Sequence, residues 1–222
     1  MSDSQLVGLA KDFFQNSLDS SPTSAIMRGH KKYFDQIEEL TEEQFQKEKD
    51  IVDTFIQRLN AIEKDNLTSR EKVTHGMLEF ALSSNKDSLL DRSWEFGAGV
   101  AGFTGFLIDY NQQMFVPDSE SADMMLKRLE LYKRLYTQIA DVQKLGLNNN
   151  RVATERNLLR TIDQLENYLA SSLDQDPLLL VNFSPEISDS EISEWKDKAK
   201  KIIEVNIRPV SYTHLTLPTS TH

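Results

Sequence analysis

Apolar residues recur every three or four positions along most of this chain, which is the repeat of an α-helix with one buried face. Three such stripes precede position 84: Leu6, Leu9 and Phe13; Val52, Phe55, Leu59 and Ile62; and Val73, Met77 and Phe80. Three more follow position 120: Met125, Leu129, Tyr132, Tyr136 and Ile139; Leu158, Ile162, Leu165 and Leu169; and Ile192, Trp195, Ala199 and Ile202. The pattern predicts an all-α fold of about six helices, packed as an antiparallel bundle of helix hairpins.

Helix starts are marked by pairs of capping residues. A Ser or Thr is followed three positions later by Glu or Gln, which lets the two side chains cap the free backbone amides. The pairs are Thr41 with Gln44, Thr68 with Glu71, and Ser188 with Glu191. The short turn at 65–67 favours an antiparallel hairpin between the second and third helices. Gly146 is the expected C-cap of the long helix that starts at Ser121, since Gly tolerates the left-handed conformation.

Residues 84–120 interrupt the helical pattern with frequent Asn, Ser, Gly and Asp around an uncharged run. We interpret this segment as an irregular, Gly-containing connector between an N-terminal helical subdomain, 1–83, and a C-terminal one, 121–208. Only the run from Leu178 to Val181 could be extended, and it is too short to build a sheet.

Composition excludes several classes of function. The formal charge of -10 disfavours nucleic acid and anionic membrane as partners, because phosphate binding requires clustered Lys and Arg. The chain has no Cys, which excludes disulfides and thiolate chemistry. The uncharged run from Phe96 to Ile108 is too short to span a bilayer. The N-terminus lacks the features of a signal peptide, and we therefore expect a cytoplasmic protein.

The C-terminal tail reads as an artefact. Residues 209–222 contain no Asp, Glu, Lys or Arg, although the preceding helix is dense in them. Back-translated, residues 209–219 follow a transposase-type sequencing adapter, as expected of a metagenomic read. We therefore expect the native sequence of this fragment to end near Arg208 and the natural protein to continue beyond it.

No catalytic or cofactor-binding centre is recognisable among the native residues. The glycines of 97–102 match the dinucleotide fingerprint, which functions only after a buried strand, and a tightly packed turn is the better interpretation. His30 and His75 have no partner in a known metal motif, so we expect surface or capping roles. The carboxylates of Glu38 and Glu39 fit a solvated helix start better than an acid–base pair.

With these elements in order, the chain resembles the bacterial domain of unknown function 885 family. The resemblance covers essentially all native residues and rests on an ordered set of short motifs. They are Leu18 to Ala25 followed by Gly29, Leu67 to Glu71, Tyr110-Asn111-Gln112-Gln113, Gly146 with Arg151 to Thr154, and Asp176-Pro177-Leu178. Members of this family are mostly helical and considerably longer.

The resemblance implies a function for the whole protein. The C-terminal half of family members carries a His-Glu…Pro-Gly-His motif like that of zinc metallopeptidases, which implies a metal-dependent hydrolase with peptides as its expected substrates. None of those residues lies in this chain. We therefore expect no catalytic residue, no metal ligand and no cofactor here, and zinc only in the full-length protein. Tyr110, Gln112 and Gln113 are the candidates for contact with a peptide substrate. A non-enzymatic helical module that binds a protein partner is the alternative.

Overall fold

α-Helices make up most of the computed structural model, which describes residues 5–96 and 110–211. The described part holds seven: α1 (Gln5–Ser20), α2 (Pro22–Met27), α3 (Glu42–Asn60), α4 (Ser69–Leu90), α5 (Ser119–Asn148), α6 (Glu155–Ala170) and α7 (Asp189–Ile202). Two strands of two residues each, β1 (Phe115–Val116) and β2 (Asn182–Phe183), pair in parallel. The predicted all-α fold is confirmed. The glycines of 97–102 lie outside the described residues.

The predicted caps form at the helix starts. Thr68 with Glu71 and Ser188 with Glu191 make complete capping boxes. At α3 only half of the predicted box forms: the Thr41 hydroxyl accepts a hydrogen bond from the Gln44 amide at 3.1 Å, whereas the Gln44 side chain donates to Glu48 Oε1 at 3.3 Å. Helices overlap both ends of the predicted connector, 84–120. Helix α4 continues to Leu90, and α5 already begins at Ser119, where the Asp118 carboxylate accepts from the Ser121 amide at 2.9 Å.

One compact unit, unit 1, comprises Met1–Ser20 and Leu40–Trp94 and packs α1, α3 and α4 together. Its core is made of Leu6, Leu9, Val52, Phe55, Leu59, Leu78 and Leu82. The ion pairs Lys86–Asp53 at 2.7 Å and Arg92–Glu42 at 3.0 Å join the last part of α4, and the residue just past its C-cap, to the middle and the start of α3. This order confirms the predicted antiparallel hairpin.

The predicted inward stripe of α4 was wrong. Val73, Met77 and Phe80 are 63%, 69% and 76% exposed. The buried residues are His75, Leu78 and Leu82, so the surface role predicted for His75 was wrong as well. Both sets of residues have helical spacing, so the spacing alone does not show which set is buried. Packing against α1 and α3 buries the face that carries the two leucines.

The other compact unit, unit 2, comprises Ser21–Glu39 and Glu95–His222. Residues 21–39 thus group with the C-terminal helices rather than within a 1–83 subdomain. Helix α5 is the centre of unit 2, and α7 packs along it, where the Trp195 indole donates to the Ala122 carbonyl at 2.8 Å. Residues 208–211 continue the last helix, and Ser211 is buried. No described helix has the length and apolar content needed to cross a membrane.

Gly146 has a different role from the predicted C-cap. Helix α5 continues past it to Asn148, and the positive φ of 55° falls on Asn150. Gly146 is buried, and a Cβ at this position would lie 2.7 Å from the carbonyl oxygens of both Arg151 and Glu95. Glycine is required because two other backbone segments approach the helix closely.

Gly146→Ala is expected to destabilise unit 2 by about 2 kcal/mol or more, because backbone atoms must move to admit the methyl group. Gly8→Ala in α1 is the matched control, since a Cβ there meets nothing within 4 Å. It should stabilise the chain by roughly 0.5 to 1 kcal/mol, as helical Gly→Ala changes do. Urea denaturation followed by circular dichroism measures both. Equal stability of the two variants would contradict the close approach at Gly146.

Candidate functional site

The predicted substrate-contacting residues lie on one tight turn of unit 2. Gln112 and Gln113 are exposed, whereas Tyr110 is half-buried. The Gln113 amide donates to the Tyr110 carbonyl at 3.0 Å, which closes the turn. The structure therefore presents two carboxamide side chains next to each other on the surface. We refer to residues 110–116 as the 110–116 loop.

Asn111, which was not among the predicted site residues, anchors this loop. Its side chain is completely buried and donates from Nδ2 to the Leu178 carbonyl at 2.9 Å. Its Oδ1 is buried and has no hydrogen-bond partner among the described residues. A buried side-chain carboxamide that donates to a backbone carbonyl fixes the position of a loop. Moving the loop would leave the carboxamide without a hydrogen-bond partner, which costs about 1 to 3 kcal/mol. The sequence signal that could have identified Asn111 was its position inside the Tyr110–Gln113 motif.

A short parallel ladder holds the second half of the 110–116 loop. The Asn182 amide donates to the Met114 carbonyl at 3.0 Å, and the Ser184 amide donates to the Val116 carbonyl at 2.9 Å. The Asn182 side chain donates from Nδ2 to the Gln112 carbonyl at 2.9 Å. Together with Asn111, four hydrogen bonds thus join the loop to the segment 178–184. The run that was predicted to be extended, Leu178 to Val181, precedes this ladder and is not part of it, because β2 begins at Asn182.

The segment 178–184 rests on an ion pair whose carboxylate is buried and whose arginine is partly buried. Asp176 is fully buried, accepts from the Leu178 amide at 3.1 Å and pairs with Arg208 at 3.1 Å. The Arg208 guanidinium also donates to the Ser171 carbonyl at 3.0 Å and lies over the Tyr168 ring. Burial, followed by the nearby Asp176 carboxylate, raises the pKa of Tyr168, so its hydroxyl stays protonated. This layer makes the support of the loop rigid.

A second buried ionic network attaches residues 21–39 to α5. The Thr23 amide and hydroxyl both donate to the Glu38 carboxylate, at 2.9 and 2.8 Å. The Arg128 guanidinium donates to Thr23 Oγ1 and to the Gln36 carbonyl, and it lies 3.8 Å from Glu38 Oε2. Arg128 is completely buried. The prediction that Glu38 belongs to a solvated face was therefore wrong.

The sequence contained a signal for this network. Arg128 stands three residues after Met125 and four before Tyr132, on the apolar stripe of α5, where a charged residue requires a buried partner. Glu38 carries the complementary charge, and Thr23 belongs to the Ser21–Pro22–Thr23 motif. Because Glu38 is held by an arginine and by two donors of Thr23, the site is suited to structural support rather than to proton transfer.

A small cleft opens between α5, β2 and α7. Its volume is about 210 Å³, and its lining includes the Phe183 ring and the carboxylates of Asp123, Glu191 and Glu194. Lys198 is the one cation among the described lining residues. Hydrogen bonds from Ser188 and Ser119 lower the pKa of Glu191, which keeps it charged. Such a cleft is large enough for only a small group.

The described residues contain no group of three or more His, Asp or Glu positioned to hold a metal ion. His75 belongs to the interior of unit 1, with Nδ1 3.8 Å from Glu79 Oε2. His30 belongs to unit 2, where its ring lies edge-on to Tyr33 at 6.4 Å.

Comparison with known proteins gives one match. The family model described as bacterial protein of unknown function (DUF885) matches residues 22–215. The match begins at Pro22, next to Thr23 of the buried network, and includes the whole 110–116 loop. It also runs seven residues into the tail that we interpret as an artefact. No curated protein and no solved structure matches the chain.

Arg128→Met is expected to destabilise unit 2 by about 3 to 5 kcal/mol, because it leaves the Glu38 charge buried without its partner. Arg134→Met is the matched control on the same helix. Arg134 pairs with Glu39 at 3.6 Å, and both side chains are exposed, by 43% and 51%. This control should cost less than about 1 kcal/mol. Chemical denaturation measures both variants, and similar losses would contradict a structural role for the buried network.

The Asp118 carboxyl is expected to titrate at unusually low pH. Hydrogen bonds from Lys31 and then Ser121 lower the pKa of Asp118 from 3.8 to about 2. Because the folded pKa is depressed, this contribution to stability is complete above about pH 4 and is lost as pH falls through about 2. Carboxyl-carbon NMR should give this midpoint, and Lys31→Met should raise it. Lys32→Met is the control, and an equal rise in that variant would contradict the assignment.

Proposed function

Because the chain belongs to the family of bacterial proteins of unknown function (DUF885), we propose that it is the N-terminal helical part of a metal-dependent hydrolase that acts on peptides. Its role is to form one wall of the substrate cleft, with the 110–116 loop in contact with the peptide. The catalytic residues and the zinc belong to the C-terminal half that the family resemblance implies.

The anchored geometry of the 110–116 loop carries this proposal. The loop is joined to segment 178–184 by four hydrogen bonds: its backbone carbonyls accept three, from the Ser184 amide and both nitrogen donors of Asn182, and the Asn111 side chain donates the fourth. Its exposed side chains include Gln112, Gln113 and Phe115, the last of them 55% exposed. A loop that is already ordered loses little conformational entropy when it binds a ligand. Rigid support beneath exposed polar groups is the usual design of a recognition surface.

The chemistry of the exposed side chains suits a peptide. Each glutamine carboxamide has one acceptor oxygen and two donor hydrogens, which match the carbonyl and amide groups of an extended peptide backbone. Phe115 offers an apolar surface for a substrate side chain. None of these groups can supply a nucleophile or a proton at neutral pH, so we assign binding and orientation to this chain and no step of bond cleavage.

A peptide-binding titration tests the proposal. The probe is the unstructured peptide acetyl-(Ala-Gly-Leu-Ser)₂-amide, added to the isotope-labelled full chain and followed by residue-resolved NMR. We expect saturable shifts at the side-chain amides of Gln112 and Gln113. Gln112→Ala/Gln113→Ala should weaken binding at least about fivefold, since a net hydrogen bond contributes roughly 1 kcal/mol.

The matched control is Gln46→Ala/Gln57→Ala, which removes two exposed glutamines from α3. It should leave the affinity unchanged. An absence of shifts up to millimolar peptide, or equal weakening by both double variants, would contradict the proposed cleft wall.

The alternative function, a helical module that binds a protein partner, is supported by a different observation. The apolar side chains of Val73, Met77 and Phe80 in unit 1 are all more than 60% exposed. Large exposed apolar groups on one helix face are typical of interaction surfaces. Peptide-induced shifts confined to α4, without any at the 110–116 loop, would favour this function over the first.

A further inference from the structure

Helix α4 has two apolar faces, and only one of them is used within unit 1. Leu78 and Leu82 are buried at 7% and 1% exposure, whereas Val73, Met77 and Phe80 are exposed by 63%, 69% and 76%. The spacing of four and three residues places the exposed three on one side of the helix. We call this side, together with its flanking residues, the outer face of α4.

Between its two ends, the rest of the outer face is small and uncharged. Around the three large side chains it carries Gly76, Ala81, Ser84 and Ser88, which allow another helix to approach closely. Its only charged residues are Arg70 near the first turn and Asp87 near the last. Both are exposed, and neither has an ion-pair partner among the described residues. The outer face is therefore an apolar strip with a positive end and a negative end.

We propose that two copies of this chain associate through the outer faces of their α4 helices, packed antiparallel about a two-fold axis. An axis that crosses α4 midway between Met77 and Phe80 places Met77 of each copy opposite Phe80 of the other. The same axis places Arg70 of each copy within side-chain reach of Asp87 of the other. A two-fold interface uses one self-complementary patch twice, and this face meets that requirement.

Charge selects the antiparallel arrangement. In a parallel pair, Arg70 would lie opposite Arg70 and Asp87 opposite Asp87, which places like charges together at both ends. In the antiparallel pair, both ends hold an opposite-charge pair, separated along the helix by about 25 Å at a rise of 1.5 Å per residue. Cross-interface charge patterns of this kind set the orientation of a complex more than its affinity.

The dimer is expected to be weak and reversible. One pair of helix faces buries less area than the roughly 1,200 Å² at which stable interfaces begin. A dissociation constant on the order of 10 to 100 µM is the expectation for three large apolar side chains per copy. This proposal concerns unit 1 and does not depend on the peptide-binding role of the 110–116 loop.

Analytical ultracentrifugation of the full chain, from about 5 to 500 µM, tests the association. The mean mass should rise towards that of a dimer over this range. Met77→Asp and Phe80→Asp should each keep the chain monomeric, and circular dichroism verifies the fold, which exposed positions should preserve. Val205→Asp is the matched control, because Val205 is 69% exposed, as Met77 is. A monomer at every concentration, or a dimer unaffected by both α4 variants, would overturn the proposal.

Charge reversal tests the orientation. Arg70→Asp alone, or Asp87→Arg alone, should weaken the dimer at least about threefold at low salt, because each creates two like-charge pairs. The combined variant Arg70→Asp/Asp87→Arg should restore the original dissociation constant. In a parallel dimer, neither single reversal would change the like-charge contacts, so unchanged affinities would overturn the antiparallel arrangement.

Discussion

The buried contact of Arg128 with Glu38 and Thr23 is the interaction on which the organisation of unit 2 depends. It joins a segment near the N-terminus to the middle of α5, across 105 residues of sequence between Thr23 and Arg128. A buried guanidinium is tolerated only when its charge and donors are matched. Here the charge is matched by the Glu38 carboxylate, and the two terminal nitrogens donate to a hydroxyl and a backbone carbonyl, whereas the buried Nε has no hydrogen-bond partner among the described residues. The segment 21–39 therefore cannot leave α5 without leaving the Arg128 charge uncompensated.

The same principle repeats beneath the 110–116 loop. The buried Asp176 pairs with the partly buried Arg208, and the Leu178 carbonyl that follows accepts a hydrogen bond from the Asn111 side chain. Buried polar groups inside unit 2 thus fix the position of irregular backbone segments. Apolar packing alone is not directional and would not specify that position. The proposed role in peptide binding relies on this property, because exposed amides select a ligand only when their backbone is held still.

Unit 1 is built differently. Its three long helices bury a core of leucines, a valine and a phenylalanine, while its ion pairs, such as Lys64 with Glu79, are largely exposed and add little. It also leaves large apolar side chains on the outer face of α4. The proposed self-association and the proposed peptide binding are therefore assigned to separate units, and each is tested by variants that the other does not involve.

Local sequence determined the helices and their starts, because apolar spacing and capping pairs such as Thr68 with Glu71 act within a few residues. It determined the family for the same reason, through short ordered motifs. The tertiary structure alone decided which face of α4 is buried, why Gly146 must lack a side chain, and that Glu38 lies inside. Those outcomes depend on which segments, distant in sequence, come into contact. Two helix faces with equal apolar spacing do not indicate which of them will be buried, and a single charged residue does not indicate its partner.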